Sequence, residues 1–130
     1  MKRTHPLIFV ALGIAFWATG VLVVRLGGET IFGENSPWLG LAFVLAVPLL
    51  LTSMYLTRLV TRLDWHEFVG PMGIMTFSAV FLDGLVLAWY HPLYAASYEV
   101  ALHGAAWILW GGGMGLFWAW FFEWRKQAKA

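Results

Sequence analysis

Four long apolar segments, separated by short polar connections, divide this chain of 130 residues. They cover residues 6–26, 38–57, 71–90 and 98–122. A helix of about 20 residues rises ~30 Å, which matches the hydrocarbon core of a bilayer. The pattern therefore predicts an all-α fold, an integral membrane four-helix bundle that forms a single transmembrane domain over residues 1–130.

Composition supports this class. Hydrophobic residues make up 61% of the chain and charged residues only 12%, and a soluble domain of this size has too little interior to bury so much apolar surface. The chain contains no cysteine, which excludes disulfides, thiolate metal sites and cysteine nucleophiles. A formal charge of +1 gives no reason to expect nucleic acid, so the expected partner is the lipid bilayer.

Local signals predict how the segments begin, bend and end. The first apolar run is longer than the roughly 7 to 15 residues of a signal-peptide core and has no A-x-A cleavage pattern, so we expect an uncleaved helix that ends at Gly27 and Gly28. Pro48 lies inside the second segment and predicts a kink, because proline lacks the N–H that a helix interior uses. Asp64 and Glu67 have the spacing of a capping box, which predicts a short interfacial helix that begins at Asp64.

The positions of the cationic residues predict the orientation. With four spans, seven of the eight Lys and Arg residues fall on one side and only Arg25 falls on the other. Lys and Arg concentrate in cytoplasmic loops, so both termini are expected in the cytoplasm. The seven residues on that side are Lys2, Arg3, Arg58, Arg62, Arg125, Lys126 and Lys129.

Asp83 is the one acidic residue in the middle of an apolar segment. An ionisable group inside the bilayer costs about 2.5–3.5 kcal/mol on insertion scales, so it is expected to face the bundle interior and to have a partner. The predicted topology places Arg25, Glu99 and His103 in or near the same outer half of the membrane. At helical rise, Asp83 and His103 each lie roughly 8–10 Å below the outer surface, which allows them to meet.

Three roles for this polar cluster follow from the residue types. Asp83 can pair with Arg25 or His103 as a clasp that fixes helix order. Alternatively, the cluster is an outward-facing proton or substrate site, because histidine titrates near neutral pH and can exchange a proton with an aspartate. A third role is a haem or pigment site through His103, with the small residues 104–106 leaving room for a flat ring.

Small residues in the fourth segment predict a close helix contact. Gly111, Gly115 and Ala119 are spaced by four, so they share one helix face. Small residues at this spacing let two helix backbones approach each other in lipid. We therefore expect this face to be a helix-packing groove.

Several short segments resemble those of a bacterial domain-of-unknown-function family of short four-helix membrane proteins. They are Trp17-Ala18-Thr19 followed by Arg25, the stretch from Met75 to Asp83, and the stretch from Ala106 to Gly111. The resemblance covers nearly the whole chain and implies that Arg25 and Asp83 are matched family positions. A bacterial family implies a multi-pass protein of the inner cell membrane. The family brings no established activity.

The expected function is that of a packing or accessory subunit of a membrane complex. No nucleophile motif, phosphate loop or pair of carboxylates occurs in the sequence, so an enzyme is not the favoured class, and we assign no catalytic residue and no metal ligand. The alternative is a small transporter or proton-linked permeation unit that uses Asp83 and His103. Such a unit is expected to be a homo-oligomer, since four helices alone enclose little pathway. Cofactor binding, including the haem alternative, is left open.

Overall fold

The computed structural model describes residues 5–129. Four α-helices, α1 (Pro6–Phe32), α2 (Leu39–Thr61), α3 (Val69–Trp89) and α4 (Tyr98–Lys129), are joined by short connections. A single 3₁₀ turn lies in each of two connections, Trp65–Glu67 between α2 and α3 and His91–Leu93 between α3 and α4. No β-strand occurs between residues 5 and 129. All four helices are long and apolar enough to cross a membrane.

The helices alternate in direction through the bundle. Gly13 approaches the backbone of Met75, and Trp17 reaches Asp83, so α1 and α3 run parallel to each other and pack closely. The indole N–H of Trp107 donates a hydrogen bond of 2.8 Å to the carbonyl of Ala42, which lies at the start of α2.

Further along both helices, Gly115 lies against Leu50. Since the contacts of α4 advance along α2 in the same chain direction, α2 and α4 also run parallel to each other. The C-terminal ends of α2 and α4 therefore share one end of the bundle, where their cationic residues collect, while Arg25 lies at the other end. Two of the cations in the predicted orientation, Lys2 and Arg3, lie outside the described residues.

The end of α1 corrects one prediction. The helix does not end at Gly27 and Gly28 but continues to Phe32, and part of the segment expected as a polar loop is helical. Gly28 nevertheless interrupts the helical dihedrals, with φ 48° and ψ −139°, a conformation that favours glycine because it has no Cβ. After this break the helical turn resumes, and the N–H of Gly33 donates to the carbonyl of Glu29 to close it.

Two other local predictions have different outcomes. The capping box is confirmed: the Asp64 side chain accepts from the backbone N–H of Glu67, and the Glu67 carboxylate accepts from the N–H of Asp64 at 3.0 Å. This pair starts the 3₁₀ turn that follows Asp64. Pro48 lies inside α2, which is helical throughout Leu39–Thr61, and the kink there stays a prediction.

Two buried apolar clusters lie towards the two ends of the bundle. The first includes Phe32, Tyr94 and Val100, and the second is built around Met54 and Phe68. Between the two clusters, side chains from all four helices line a cavity of about 400 Å³. The fold therefore holds its ends together by apolar packing and leaves space at mid-height.

Candidate functional site

Asp83 faces the interior of the bundle. Asp83 is only 6% exposed, whereas Phe81 and Leu85, two positions away on either side, are 68% and 58% exposed. This difference follows from helical periodicity, because residues two apart point to different faces of a helix. The inward orientation expected for an acidic residue in an apolar segment is therefore found at Asp83.

Two side-chain donors hold one oxygen of this carboxylate. The indole Nε1 of Trp17 donates to Oδ1 of Asp83 at 2.8 Å, and the hydroxyl of Tyr94 donates to the same oxygen. Trp17 Nε1 also lies 3.1 Å from the Tyr94 hydroxyl, so the three side chains form one closed group. We call this group the Asp83 triad. It joins α1, α3 and the α3–α4 connection.

The α3–α4 connection carries Tyr94 into the bundle. Tyr94 follows the 3₁₀ turn that contains Pro92 and is completely buried. Arg25 fixes this connection from α1: its Nη1 donates to the carbonyls of Pro92 and Leu93, each at 3.2 Å. Burial and the hydrogen bond to Asp83 raise the pKa of Tyr94 above its ordinary value, so the phenol stays protonated and remains a donor at neutral pH.

The predicted pairing of Asp83 with Arg25 or His103 is wrong. Arg25 binds backbone carbonyls, and Nδ1 of His103 lies 2.7 Å from the carbonyl of Phe32 at the end of α1. Glu99 is exposed at the start of α4. The four residues lie in the same half of the bundle, but Trp17 and Tyr94 take the carboxylate because their rigid rings place a donor at its depth.

The space required by the haem hypothesis is occupied. Gly104 and Ala105 are buried, and the side chain of Val24 packs directly against Gly104. The small residues beside His103 therefore serve the close crossing of α1 and α4. The ring nitrogen Nδ1 of His103 is used to close the end of α1 through Phe32.

The 400 Å³ cavity begins at the Asp83 triad and extends towards the opposite end of the bundle. Both Asp83 and Trp17 line it, together with aromatic and aliphatic side chains such as those of Phe16 and Trp107. Oδ2 of Asp83 accepts no hydrogen bond from any residue between 5 and 129, in contrast to Oδ1. One carboxylate oxygen is thus fixed by two protein donors, and the other has no such partner among the described residues.

Glycines of α4 form one wall of this cavity. Gly111 and Gly112 line it, and their missing side chains leave space opposite Thr76 and Leu50. Gly115 is buried against Leu50 and Met72, where a Cβ would lie 3.2 Å from a side-chain atom of each.

One helical turn further along α4, Ala119 is completely buried in the second apolar cluster. The structure therefore places the stripe of Gly111, Gly115 and Ala119 against α2 and α3 of the same chain.

Sequence reasoning did not assign Trp17 and Tyr94 to the site. Tryptophan is enriched at membrane interfaces, but Trp17 lies in the middle of an apolar segment, where its N–H needs a hydrogen-bond partner. This unusual position was the signal that could have assigned Trp17 to the polar site. Tyr94 lies in the connection between two apolar segments, shortly after Pro92, and a tyrosine at such a place is typical of the membrane interface. Nothing in its local sequence indicates that the connection folds inward.

A second group of polar side chains lies at the other end of the bundle. Asp64, His66 and Glu67 each place one potential ligand atom within 4.8 Å of the others. Both carboxylates already hold the capping box, and Asp64 also pairs with Arg58 at 3.8 Å. We assign no metal to this group.

Comparison of the chain with protein-family models, with curated proteins and with solved structures gives no significant match. The resemblance to a bacterial family of short four-helix membrane proteins therefore stays a prediction.

Proposed function

We propose that this protein is a multi-pass protein of the bacterial inner membrane with both termini in the cytoplasm. Four apolar helices of sufficient length support insertion, and the collection of cations at one end of the bundle supports the orientation. A cytoplasm-active reporter fused to the C terminus, combined with a labelling tag between α1 and α2, tests this topology. Activity of the reporter together with external labelling of the tag is expected, and an external C terminus would contradict it.

We propose further that the cavity is the substrate site of a small transporter and binds an organic cation with an apolar body. The observation that carries this proposal is Asp83: two donors fix its Oδ1, its Oδ2 has no hydrogen-bond partner in the described chain, and the residue lines a mostly apolar cavity. Hydrogen bonds from Trp17 and Tyr94 to Oδ1 hold the carboxylate in a fixed position. The free oxygen then suits a positively charged donor.

The rest of the cavity matches the body of such a molecule. Its volume of about 400 Å³ lies within the range of roughly 300–1,000 Å³ that is usual for small-molecule sites. Phe16, Trp17 and Trp107 supply aromatic surface, which attracts cations and apolar rings alike. His103 has no part in this proposal, because it does not line the cavity.

The alternative function is that of an accessory subunit in which the Asp83 triad has only a structural role. The closed hydrogen bonding of Trp17, Asp83 and Tyr94 favours it, since the triad joins three separate elements. The two functions differ in one measurable property. A structural triad needs no ligand, whereas a substrate site binds a cation through Asp83.

Calorimetric titration of the purified protein with naphthylmethylamine and with its uncharged alcohol, naphthylmethanol, separates the two functions. The amine is expected to bind more tightly than the alcohol, and Asp83→Asn is expected to weaken the amine roughly tenfold or more, as for a lost charge-assisted hydrogen bond. Glu99→Gln is the matched control, because it also converts a carboxylate to an amide but at an exposed position. It should leave binding unchanged.

A cavity-filling variant locates the site. Ala79 lines the cavity, and Ala79→Phe is expected to abolish binding of both compounds while preserving folding. Uptake of the amine into proteoliposomes should require Asp83 as well. Equal affinity for amine and alcohol, or equal amine binding in the parent and in Asp83→Asn, would favour the structural role.

A further inference from the structure

A second cavity, of about 540 Å³, opens at the charged end of the bundle. It lies between the connection that joins α2 to α3 and the last turns of α4. Cationic side chains of α4 provide one side of it and aromatic rings provide much of the rest. The residues that line it are Trp65, His66, Phe122, Arg125, Lys126 and Lys129.

The lining of this cavity has one sign of charge. Among the residues that the structure describes, no carboxylate lines it. The acidic residues of the neighbouring connection are engaged with each other and with α2: Asp64 and Glu67 form the capping box, and Asp64 pairs with Arg58 at 3.8 Å. Three cations are therefore not neutralised by acids within the cavity, and the site attracts an anion.

Aromatic packing gives this cavity a fixed apolar side. The ring of Trp65 lies 5.2 Å from that of Phe122 and stacks at 6.0 Å on Phe68, which is completely buried. The guanidinium of Arg125 lies 5.9 Å from the ring centre of Phe121 on its own helix. Tryptophan and arginine in such positions are typical of the depth at which lipid headgroups meet the acyl chains.

We propose that this basic cavity binds the phosphate headgroup of an anionic phospholipid from the adjoining leaflet. Basic pockets at the cytoplasmic ends of membrane helices suit such headgroups, because the phosphate meets Lys and Arg while the glycerol and acyl chains contact apolar surface. Trp65 and Phe122 supply that surface here. The inference uses the proposed membrane orientation and does not depend on the ligand of the Asp83 cavity.

Native mass spectrometry of the full-length protein tests the proposal. The protein is released from micelles that contain equal amounts of phosphatidylglycerol and phosphatidylcholine with the same acyl chains, and the ratio of the two retained lipids is measured. Preferential retention of phosphatidylglycerol is expected. Arg125→Gln should lower that preference about fivefold, the effect of one cation near a membrane surface.

Arg62→Gln is the matched control. Arg62 is exposed at the end of α2, on the same end of the bundle, and does not line the cavity, so its loss changes net charge equally and should leave the preference intact. Lys129→Gln provides a second cavity variant on the exposed last turn of α4 and decides the outcome if Arg125→Gln does not fold.

Three results would overturn the proposal. Equal retention of the two lipids by the parent protein would show that no headgroup is selected. An equal loss of preference in Arg62→Gln and Arg125→Gln would show that only the general surface charge matters. Displacement of phosphatidylglycerol by millimolar inorganic phosphate would show a site for a soluble anion instead of a lipid.

Discussion

Replacing Tyr94 with phenylalanine removes one oxygen from the Asp83 triad and retains the aromatic ring. Tyr94 is completely buried and Asp83 is 6% exposed, so water does not readily replace the lost donor. Trp17 keeps a partner, because its N–H still donates to Oδ1 of Asp83 at 2.8 Å. The substitution therefore deletes one hydrogen bond to the carboxylate without leaving a second donor unpaired.

The expected cost follows from this geometry. Hydrogen bonds to charged groups contribute more than neutral ones, but side-chain hydrogen bonds between membrane helices rarely exceed about 1.7 kcal/mol because the denatured state also finds partners. We expect Tyr94→Phe to lower the free energy of unfolding by about 1.5 kcal/mol. In an Asp83→Asn background the same change should cost roughly half as much, since the acceptor is then neutral.

Reversible unfolding in mild detergent, followed by circular dichroism, measures the free energy of unfolding of the parent, of Tyr94→Phe, of Asp83→Asn and of the double variant. Tyr98→Phe is the matched control, because Tyr98 is 77% exposed and its hydroxyl has no hydrogen-bond partner among residues 5–129. Its cost should be near zero. The reasoning would be refuted if Tyr94→Phe cost no more than Tyr98→Phe, or if its cost were the same with Asp83 and with Asn at that position.

Three further outcomes are expected. Because the pKa of Tyr94 is raised in the folded protein, the stability that its protonated phenol provides is fully present below pH 10, the ordinary value, and is lost as the pH rises towards the folded-state pKa. Above about pH 10, the free energy of unfolding should therefore fall by at most about 1.4 kcal/mol per pH unit, and it should fall less in Tyr94→Phe. Gly13→Ala should destabilise the protein by about 1–3 kcal/mol in thermal unfolding, because the added Cβ would lie 2.6 Å from a carbonyl oxygen of α3. Gly113→Ala is the control, since its Cβ meets open space and should not destabilise the protein. Equal effects of the two substitutions would contradict the close approach of Gly13 to α3. The losses of unfolding free energy caused by Asp83→Asn and by Arg25→Gln should add within about 0.5 kcal/mol in the double variant, since the two residues share no hydrogen bond. A larger coupling would instead support an ion pair between Asp83 and Arg25.

Sequence alone was sufficient for the all-α class and the four long apolar helices, because both depend on properties that each segment carries by itself. Length and hydropathy predict a helix that can cross a bilayer, and the spacing of Asp64 and Glu67 predicts a cap whose two hydrogen bonds are local. The inward orientation of Asp83 belongs to the same class, since burying an acid among apolar neighbours is the way to keep it from lipid.

The extent of α1 shows where local signals become insufficient. Gly27 and Gly28 are typical of a helix end, and Gly28 does adopt a conformation that breaks the helix. The turn after it is stabilised by contacts with other elements, namely the burial of Phe32 and the approach of His103 to its carbonyl. These contacts do not exist until α4 has packed against α1.

Only the tertiary structure decided which side chains meet Asp83. Several donors lie at a compatible depth along the sequence, and hydropathy cannot rank them because partner choice depends on helix rotation and on the path of the connections. Arg25 is used by carbonyls of the α3–α4 connection, and that connection carries Tyr94 inward to Asp83. Helix depth is a one-dimensional property that the chain encodes locally, whereas the meeting of Trp17, Asp83 and Tyr94 depends on how three elements pack at once.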